Sequence, residues 1–279
     1  MVTIVRICFL LGLNALLANI EAQDVSVPTR QLKAMREIAR NATMETAGGT
    51  SRTALIDEPI YKFNDPARRF SDGSVWAFSK TGRPAALYTL SLEKTPSGVI
   101  QWVHEFTSLS ETNVAVKNRE YLGGWEWAPE ERGISMKPFS SVASPSDEVG
   151  KRSRQMRELA RRFKAFELWE PSGTARPERY ELRLLPQPVY RYSDPANGLI
   201  DGAIFFMVYG QNPEIALVIE ARQEGKAAPT WSYGMGRIAA AHLIVSLDEH
   251  NVADWPRPAN PGPKSAYAAT ARPANNLEK

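Results

Sequence analysis

The chain has 279 residues, of which 43% are hydrophobic and 23% are charged, and its formal net charge is +3. These values are typical of a globular protein with a sizeable core, and they exclude a fibrous or wholly disordered chain. This mild charge excess by itself argues neither for nor against a nucleic-acid partner. A dedicated nucleic-acid-binding protein more often has a concentrated basic face, so no nucleic-acid partner is predicted.

The first 22 residues have the pattern of a secretory signal peptide. A basic start at residues 1–6 is followed by an apolar run at 7–17 and by small residues up to Ala22, near which we predict cleavage. The apolar run is too short to span a bilayer comfortably, so a secreted or periplasmic location is predicted, with a retained amphipathic anchor as the alternative. Cleavage would remove Cys8, the only cysteine, and with it any disulfide, thiol nucleophile or cysteine-bound metal.

The sequence between the termini contains an internal repeat. Residues 61–102 align without a gap on residues 190–231, and eight of the aligned positions are identical. Weaker matches on both sides of these blocks extend the similarity over most of the chain. We therefore predict two units, residues 23–137 and 138–258, that pack as a pseudo-symmetric pair around a shared core.

Each unit is predicted to begin with an amphipathic helix and to continue as an antiparallel meander. Apolar residues recur at helical spacing over residues 29–42 and 147–166. Alternating apolar and polar residues, separated by turns that contain Gly and Pro, follow each helix and favour local strand pairing. The predicted fold class is therefore α+β. The predicted strands cover residues 74–79, 84–93, 99–106 and 114–116 in the first unit and 203–209, 215–221, 230–235 and 243–247 in the second.

The C-terminal segment, residues 259–279, is predicted to be a disordered tail. Five prolines occur between residues 256 and 279, among alanines and asparagines. A segment of this composition has little apolar surface to bury, so it is not expected to fold.

Four aspartates recur in both aligned blocks and raise the question of catalysis. Paired carboxylates can exchange protons or bind a metal ion. However, each of these aspartates precedes Pro or Gly, and Asp-Pro and Asp-Gly are typical of turns, so a structural role is favoured. The four residues are Asp65, Asp72, Asp194 and Asp201.

His104 is the strongest candidate for chemistry, because the second block has Tyr233 at the aligned position. In a strand its side chain shares a face with that of Trp102, and Trp231 shares a face with Tyr233 in the same way. We predict a ligand site at the interface between the units, lined by these four residues. A hydrolase that uses His104 with a nearby aspartate is the alternative, and a buried histidine with satisfied hydrogen bonds is the structural interpretation.

No motif in the chain identifies an enzyme class. The sequence contains no HExxH zinc motif, no phosphate-binding glycine-rich loop and no Gly-x-Ser-x-Gly nucleophile motif. We therefore predict no cofactor, no metal and no catalytic residue, with His104 as the only catalytic candidate.

A basic segment at residues 151–164 suggests another partner. It contains seven cationic side chains, opposed mainly by Glu158. A helix of this kind can bind an anionic membrane or polymer, although most charged segments are solvated surfaces. The cationic residues are Lys151, Arg152, Arg154, Arg157, Arg161, Arg162 and Lys164.

Seven short strings occur in a fixed order along the chain. They are Asp65-Pro-Ala, Asp72-Gly, Gly82-Arg-Pro, Trp102–Ser110, Arg154–Arg161, Glu181–Tyr192 and Asp201–Phe205. Together they resemble a family of uncharacterised secreted proteins from planctomycete bacteria, over nearly all of the mature chain. The resemblance implies export and a bacterial source, but no reaction and no catalytic residue. We therefore expect a non-catalytic binding or structural module of the cell envelope, whose partner is a ligand or another envelope component.

Overall fold

The computed structural model describes residues 29–46, 52–53, 55–65, 70–79, 81–169 and 177–274. Within these residues the chain forms eighteen β-strands and three α-helices, and only two of those helices are longer than four residues. The predicted α+β class is therefore wrong, because the protein is mainly β and consists of curled antiparallel sheets. The predicted signal peptide lies outside the described residues.

The elements follow one another in two halves. The first half consists of α1 (Thr29–Arg40), β1 (Thr43–Thr46), β2 (Arg52–Thr53), β3 (Tyr61–Asp65), β4 (Phe70–Phe78), β5 (Ala86–Lys94), β6 (Ile100–Ser108), β7 (Val114–Lys117), α2 (Arg119–Leu122) and β8 (Glu126–Trp127). The second half consists of β9 (Lys137–Pro138), α3 (Val149–Ala160), β10 (Phe163–Trp169), β11 (Glu178–Leu184), β12 (Tyr190–Asp194), β13 (Leu199–Tyr209), β14 (Asn212–Arg222), β15 (Thr230–Arg237), β16 (His242–Leu247) and β17 (His250–Trp255). The last strand is β18 (Tyr267–Pro273).

The strands form three antiparallel sheets in the described part of the chain. One has the order β18-β6-β5-β4-β3, the second β2-β1-β7-β8, and the third β17-β16-β10-β11-β13-β14-β15-β9, with β12 paired to β13. The halves have equivalent neighbours, since β1 pairs with β2 and β7 as β10 pairs with β11 and β16. In the second half, pairing of β11 with β13 joins all the strands into one long curled sheet.

Three apolar cores stabilise these layers. The first core contains residues of α1 and one face of β4, β5 and β6, and the second contains residues of α3 and one face of β13, β14 and β15. The third core lies between the halves and includes Val75 and Ala77 of β4 with Ile204 and Phe206 of β13. Trp76, between Val75 and Ala77, belongs to the first core, as the two-residue period of a strand requires. The sheet that contains β4 and the sheet that contains β13 therefore lie back to back. Helix α1 covers the outer side of the first of these sheets, and helix α3 covers the outer side of the other.

The helix predicted over residues 147–166 corresponds to α3, which is shorter than predicted. It ends at Ala160, and Phe163, which fits the helical spacing, instead begins β10. In that strand Phe163, Ala165 and Glu167 are buried on one face, and both edges pair with neighbouring strands. None of the helices in the described residues is long and apolar enough to cross a membrane.

The segment predicted to be a disordered tail contains β18. This strand pairs with β6 over its whole length, from Tyr267 opposite Thr107 to Pro273 opposite Gln101. The disorder prediction rested on the small apolar area of the side chains. Pairing with a strand edge depends on backbone hydrogen bonds instead, so alanine-rich residues can occupy this position.

Candidate functional site

His104 lies beside the first apolar core and is 1% exposed. Its Nδ1 atom is 2.6 Å from the Tyr88 hydroxyl, and the two rings stack. Burial, together with the nearby Arg272 guanidinium, lowers the pKa of His104 to about 3. An effective catalytic base has a pKa near the working pH, so this histidine is a poor base at neutral pH.

The surroundings of His104 do not form a reaction site within the described residues. The buried Nε2 atom has no hydrogen-bond partner there, and the partner of Nδ1 is a hydroxyl rather than a carboxylate. The neighbouring Glu105 lies on the opposite face of β6, where the Tyr267 hydroxyl donates a hydrogen bond to it. The arrangement is that of a core histidine paired with Tyr88.

The structure does not bring the four predicted ligand-binding residues together. Trp102 lies in the first core with His104 on the same strand face, whereas Trp231 and Tyr233 lie in the second core. None of the four belongs to the third core, between the halves. Because the sheets lie back to back, aligned residues of the two halves face away from each other. The interface between the halves is therefore lined by other residues.

Two of the recurring aspartates do not lie in turns. Asp72 and Asp201 lie inside β4 and β13, so the turn interpretation is wrong for both. The buried Asp201 carboxylate accepts hydrogen bonds from Arg152 at 3.1 Å and from Arg191 at 2.7 Å. Asp194, in contrast, directly precedes a short 3-10 turn. The carboxylate of Asp201 therefore joins elements of the fold and is not free for chemistry.

The basic segment is largely neutralised by neighbouring carboxylates. Four of its seven cations form ion pairs. These pairs are Lys151–Glu148, Arg152–Asp201, Arg162–Asp248 and Lys164–Glu249. Arg154 and Arg161 remain exposed. The segment thus presents fewer free charges to an anionic surface than the sequence indicates.

A groove lies where the connection between the halves crosses the long curled sheet of the second half. It consists of two adjoining cavities of about 330 and 260 Å³. Both are lined by Arg132 and Gly133 of the connection, by Met235 of β15 and by Trp255 of β17. The end strands of the curled sheet are β9 and β17. The groove therefore occupies the gap between the two ends of this sheet.

In the larger cavity two of the charged side chains, those of Arg237 and Glu131, already have partners. The Arg237 guanidinium donates to the carbonyl oxygens of Ala239 and Pro256, at 3.2 and 3.1 Å. The Glu131 carboxylate accepts a hydrogen bond from the N–H of Ala266 at 2.8 Å. These groups hold the C-terminal segment and the ends of β15 and β17 in place, so they are not available to a ligand.

The smaller cavity has unused donors. Within the described residues, the exposed Arg132 and Lys137 side chains form no hydrogen bond or ion pair, and the Ser135 hydroxyl and the Trp255 indole N–H have no partner. Tyr233 also lines this cavity, and burial raises the pKa of its hydroxyl. The lining includes no acidic residue. We call it the donor cavity, defined by these five residues, and it is suited chemically to an anion beside apolar surface.

Sequence reasoning had identified only Tyr233 of these five residues, and for a different site. Trp255 had a usable signal, because it aligns with Trp125 in the weaker matches that flank the repeat. The connection that carries Arg132 and leads into Lys137 of β9 has no counterpart elsewhere in the chain and contains no motif. Only the fold shows that this connection passes the end of the long curled sheet of the second half.

Comparisons with known proteins do not identify a function. No family model matches the chain, and neither curated proteins nor solved structures gave a match. Among the described residues, no group of three or more His, Cys, Asp and Glu side chains could hold a metal ion. The groove is therefore the basis for a functional proposal.

Proposed function

We propose that the protein is an exported, non-catalytic binding module of the bacterial cell envelope, and that its ligand occupies the groove. The donor cavity is the observation that carries this proposal. It is an open space of about 260 Å³, and its polar side chains have no partner within the described residues. Apolar walls with a few convergent polar groups are typical of a ligand site.

The other functions considered have less support. A hydrolase needs His104 at a concave surface beside a carboxylate, whereas this residue is buried against Tyr88. Docking of the basic segment on an anionic surface needs free cations, and four of the seven are paired. Export rests on the signal-like residues 1–22 and on the resemblance to secreted planctomycete proteins.

The test is co-sedimentation of the purified mature protein with an isolated planctomycete cell-envelope fraction. We expect the wild type to sediment with the envelopes. Ser135→Trp should remain in the supernatant, because the exposed Ser135 lines the donor cavity and an indole there would fill it. The matched control is Ala227→Trp, which adds the same ring to an exposed turn.

Two results would contradict the proposal. One is a wild-type protein that stays in the supernatant with the control. The other is sedimentation of Ser135→Trp to the same extent as the wild type, which would place any binding surface outside the groove.

A further inference from the structure

The first half of the chain contains a gap equivalent to the groove, and there the gap is closed by the chain itself. Residues 261–273 occupy it. The N–H of Ala128 donates to the carbonyl of Pro263 at 2.8 Å, and the Trp127 indole N–H donates to the carbonyl of Ser265 at 2.8 Å. The same segment then continues as β18 along β6. A length of peptide backbone therefore completes the first half.

In the second half the equivalent gap stays open. β15, the counterpart of β6, pairs with β9 at only two positions, Ser232 and Tyr233. Trp127 of the first half is fully buried and stacks on Phe106 at 5.4 Å. In the second half Trp255, which aligns with Trp125, is half-buried and lines the groove together with Met235, which aligns with Phe106.

The edge of β17 supplies a backbone surface for a peptide. Within the described residues this strand pairs only with β16, so its other edge has no strand neighbour. An exposed strand edge can bind an extended peptide through main-chain hydrogen bonds, with pockets for alternate side chains. Val252, Ala253 and Trp255 of β17 all line the donor cavity, which is where those side chains would enter.

The positive charge of the donor cavity indicates the sign of the charge that such a peptide would carry. Arg132 and Lys137 are exposed at the donor cavity without an ion pair in the described structure, and its lining includes no acidic residue. Opposite charge favours encounter and specificity at such a surface. We propose that the groove binds an extended acidic peptide segment of an envelope partner as a strand added at β17. This proposal rests on the proposed function and names the ligand class of the same groove.

The experiment is selection of a random seven-residue peptide library, displayed on phage, against the mature protein and in parallel against Ser135→Trp. We expect peptides rich in Asp and Glu to be enriched on the wild type alone. A fluorescein-labelled enriched peptide should then bind about tenfold more weakly to the double variant Arg132→Ala/Lys137→Ala at low salt, with a smaller difference at high salt. Arg154→Ala, which removes an exposed cation of α3, is the matched control and should bind normally.

Hydrogen exchange of the complex tests the added strand separately. Backbone amides of His250–Trp255 should gain protection when the enriched peptide binds. Enrichment of non-acidic peptides, equal enrichment on Ser135→Trp, or no added protection in β17 would overturn the proposal. If the protein nevertheless sediments with envelopes and Ser135→Trp does not, the binding function stands and only the peptide assignment fails.

Discussion

The Arg152 guanidinium donates from Nε to the Asp201 carboxylate at 3.1 Å, and this buried pair connects α3 to β13. Arg152 also donates to the carbonyl oxygens of Ser146 and Asp147, at 2.9 and 2.8 Å. One guanidinium thus joins the start of the helix, the loop before it and the sheet. Removing one partner of such a pair leaves an uncompensated buried charge.

Replacement of Asp201 by Ala should therefore lower the free energy of unfolding by about 3–5 kcal/mol. Urea unfolding followed by circular dichroism measures this loss. Glu130→Ala is the control, because it removes the partner of Lys264 at an exposed site and should leave the midpoint nearly unchanged. Equal losses in the two variants would show that burial of the Asp201 pair has no special effect.

The glycines that follow Asp72 and Asp201 are required by neighbouring rings. A Cβ atom at Gly73 would lie closer than 3.0 Å to the ring of Phe63, and one at Gly202 equally close to that of Tyr192. We expect Gly73→Ala and Gly202→Ala each to destabilise the protein by about 1–3 kcal/mol, as measured by thermal unfolding. Gly124→Ala is the control, since nothing lies within 4 Å of its added atom. A loss of the same size there would exclude the ring contact as the cause.

Acid should destabilise the protein through His104. Its pKa is about 3 in the folded protein and 6.5 ordinarily, so between these values the unfolded chain binds the extra proton and stability falls as the pH falls. His104→Leu should make the free energy of unfolding depend less steeply on pH in this range. Urea unfolding of both proteins from pH 3 to pH 7 measures the difference. Parallel pH profiles would mean that the folded protein accepts the proton on His104.

The contribution of Glu105 to the pH dependence of stability should have the opposite sign to that of His104. Burial raises its pKa from 4.5 to about 7, with Glu93 adding to the rise and the Tyr267 hydrogen bond opposing it. The folded protein therefore binds the extra proton, and the contribution of Glu105 to stability is lost as the pH rises from about 4.5 through 7. Glu105→Gln should remove this part of the pH dependence in unfolding experiments between pH 5 and pH 8. An unchanged profile would show that the carboxyl group titrates normally.

The sequence pattern located several elements but not the way in which they assemble. The expected strand over residues 84–93 corresponds to β5, and the expected helix over 29–42 corresponds to α1. Both have an apolar face that gives a local periodicity. The fold class was wrong because many of the strands are short or lie at sheet edges, where pairing depends on backbone groups that every residue possesses. Segment 163–169 shows the ambiguity, since its aromatic spacing also fits a helix.

The site was less accessible to sequence reasoning than the fold. Trp102 and Tyr233 were correctly placed on strand faces, but sequence could not show that the two faces point away from each other. Arg132 and Lys137 carry no periodic pattern, and the fold alone brings them to the end of a sheet that is formed mostly by later residues. Sites built from a connection and a distant strand leave little signal in a single sequence.

The position of β18 has a consequence for how the protein is made. This strand, the last in the described residues, completes the sheet of the first half, and Tyr267 supplies the hydroxyl bonded to Glu105. During synthesis, β6 therefore leaves the ribosome long before its partner strand exists, and its edge stays open until residues 267–273 have been made. A chain shortened before residue 267 would therefore keep the edge of β6 exposed to other molecules.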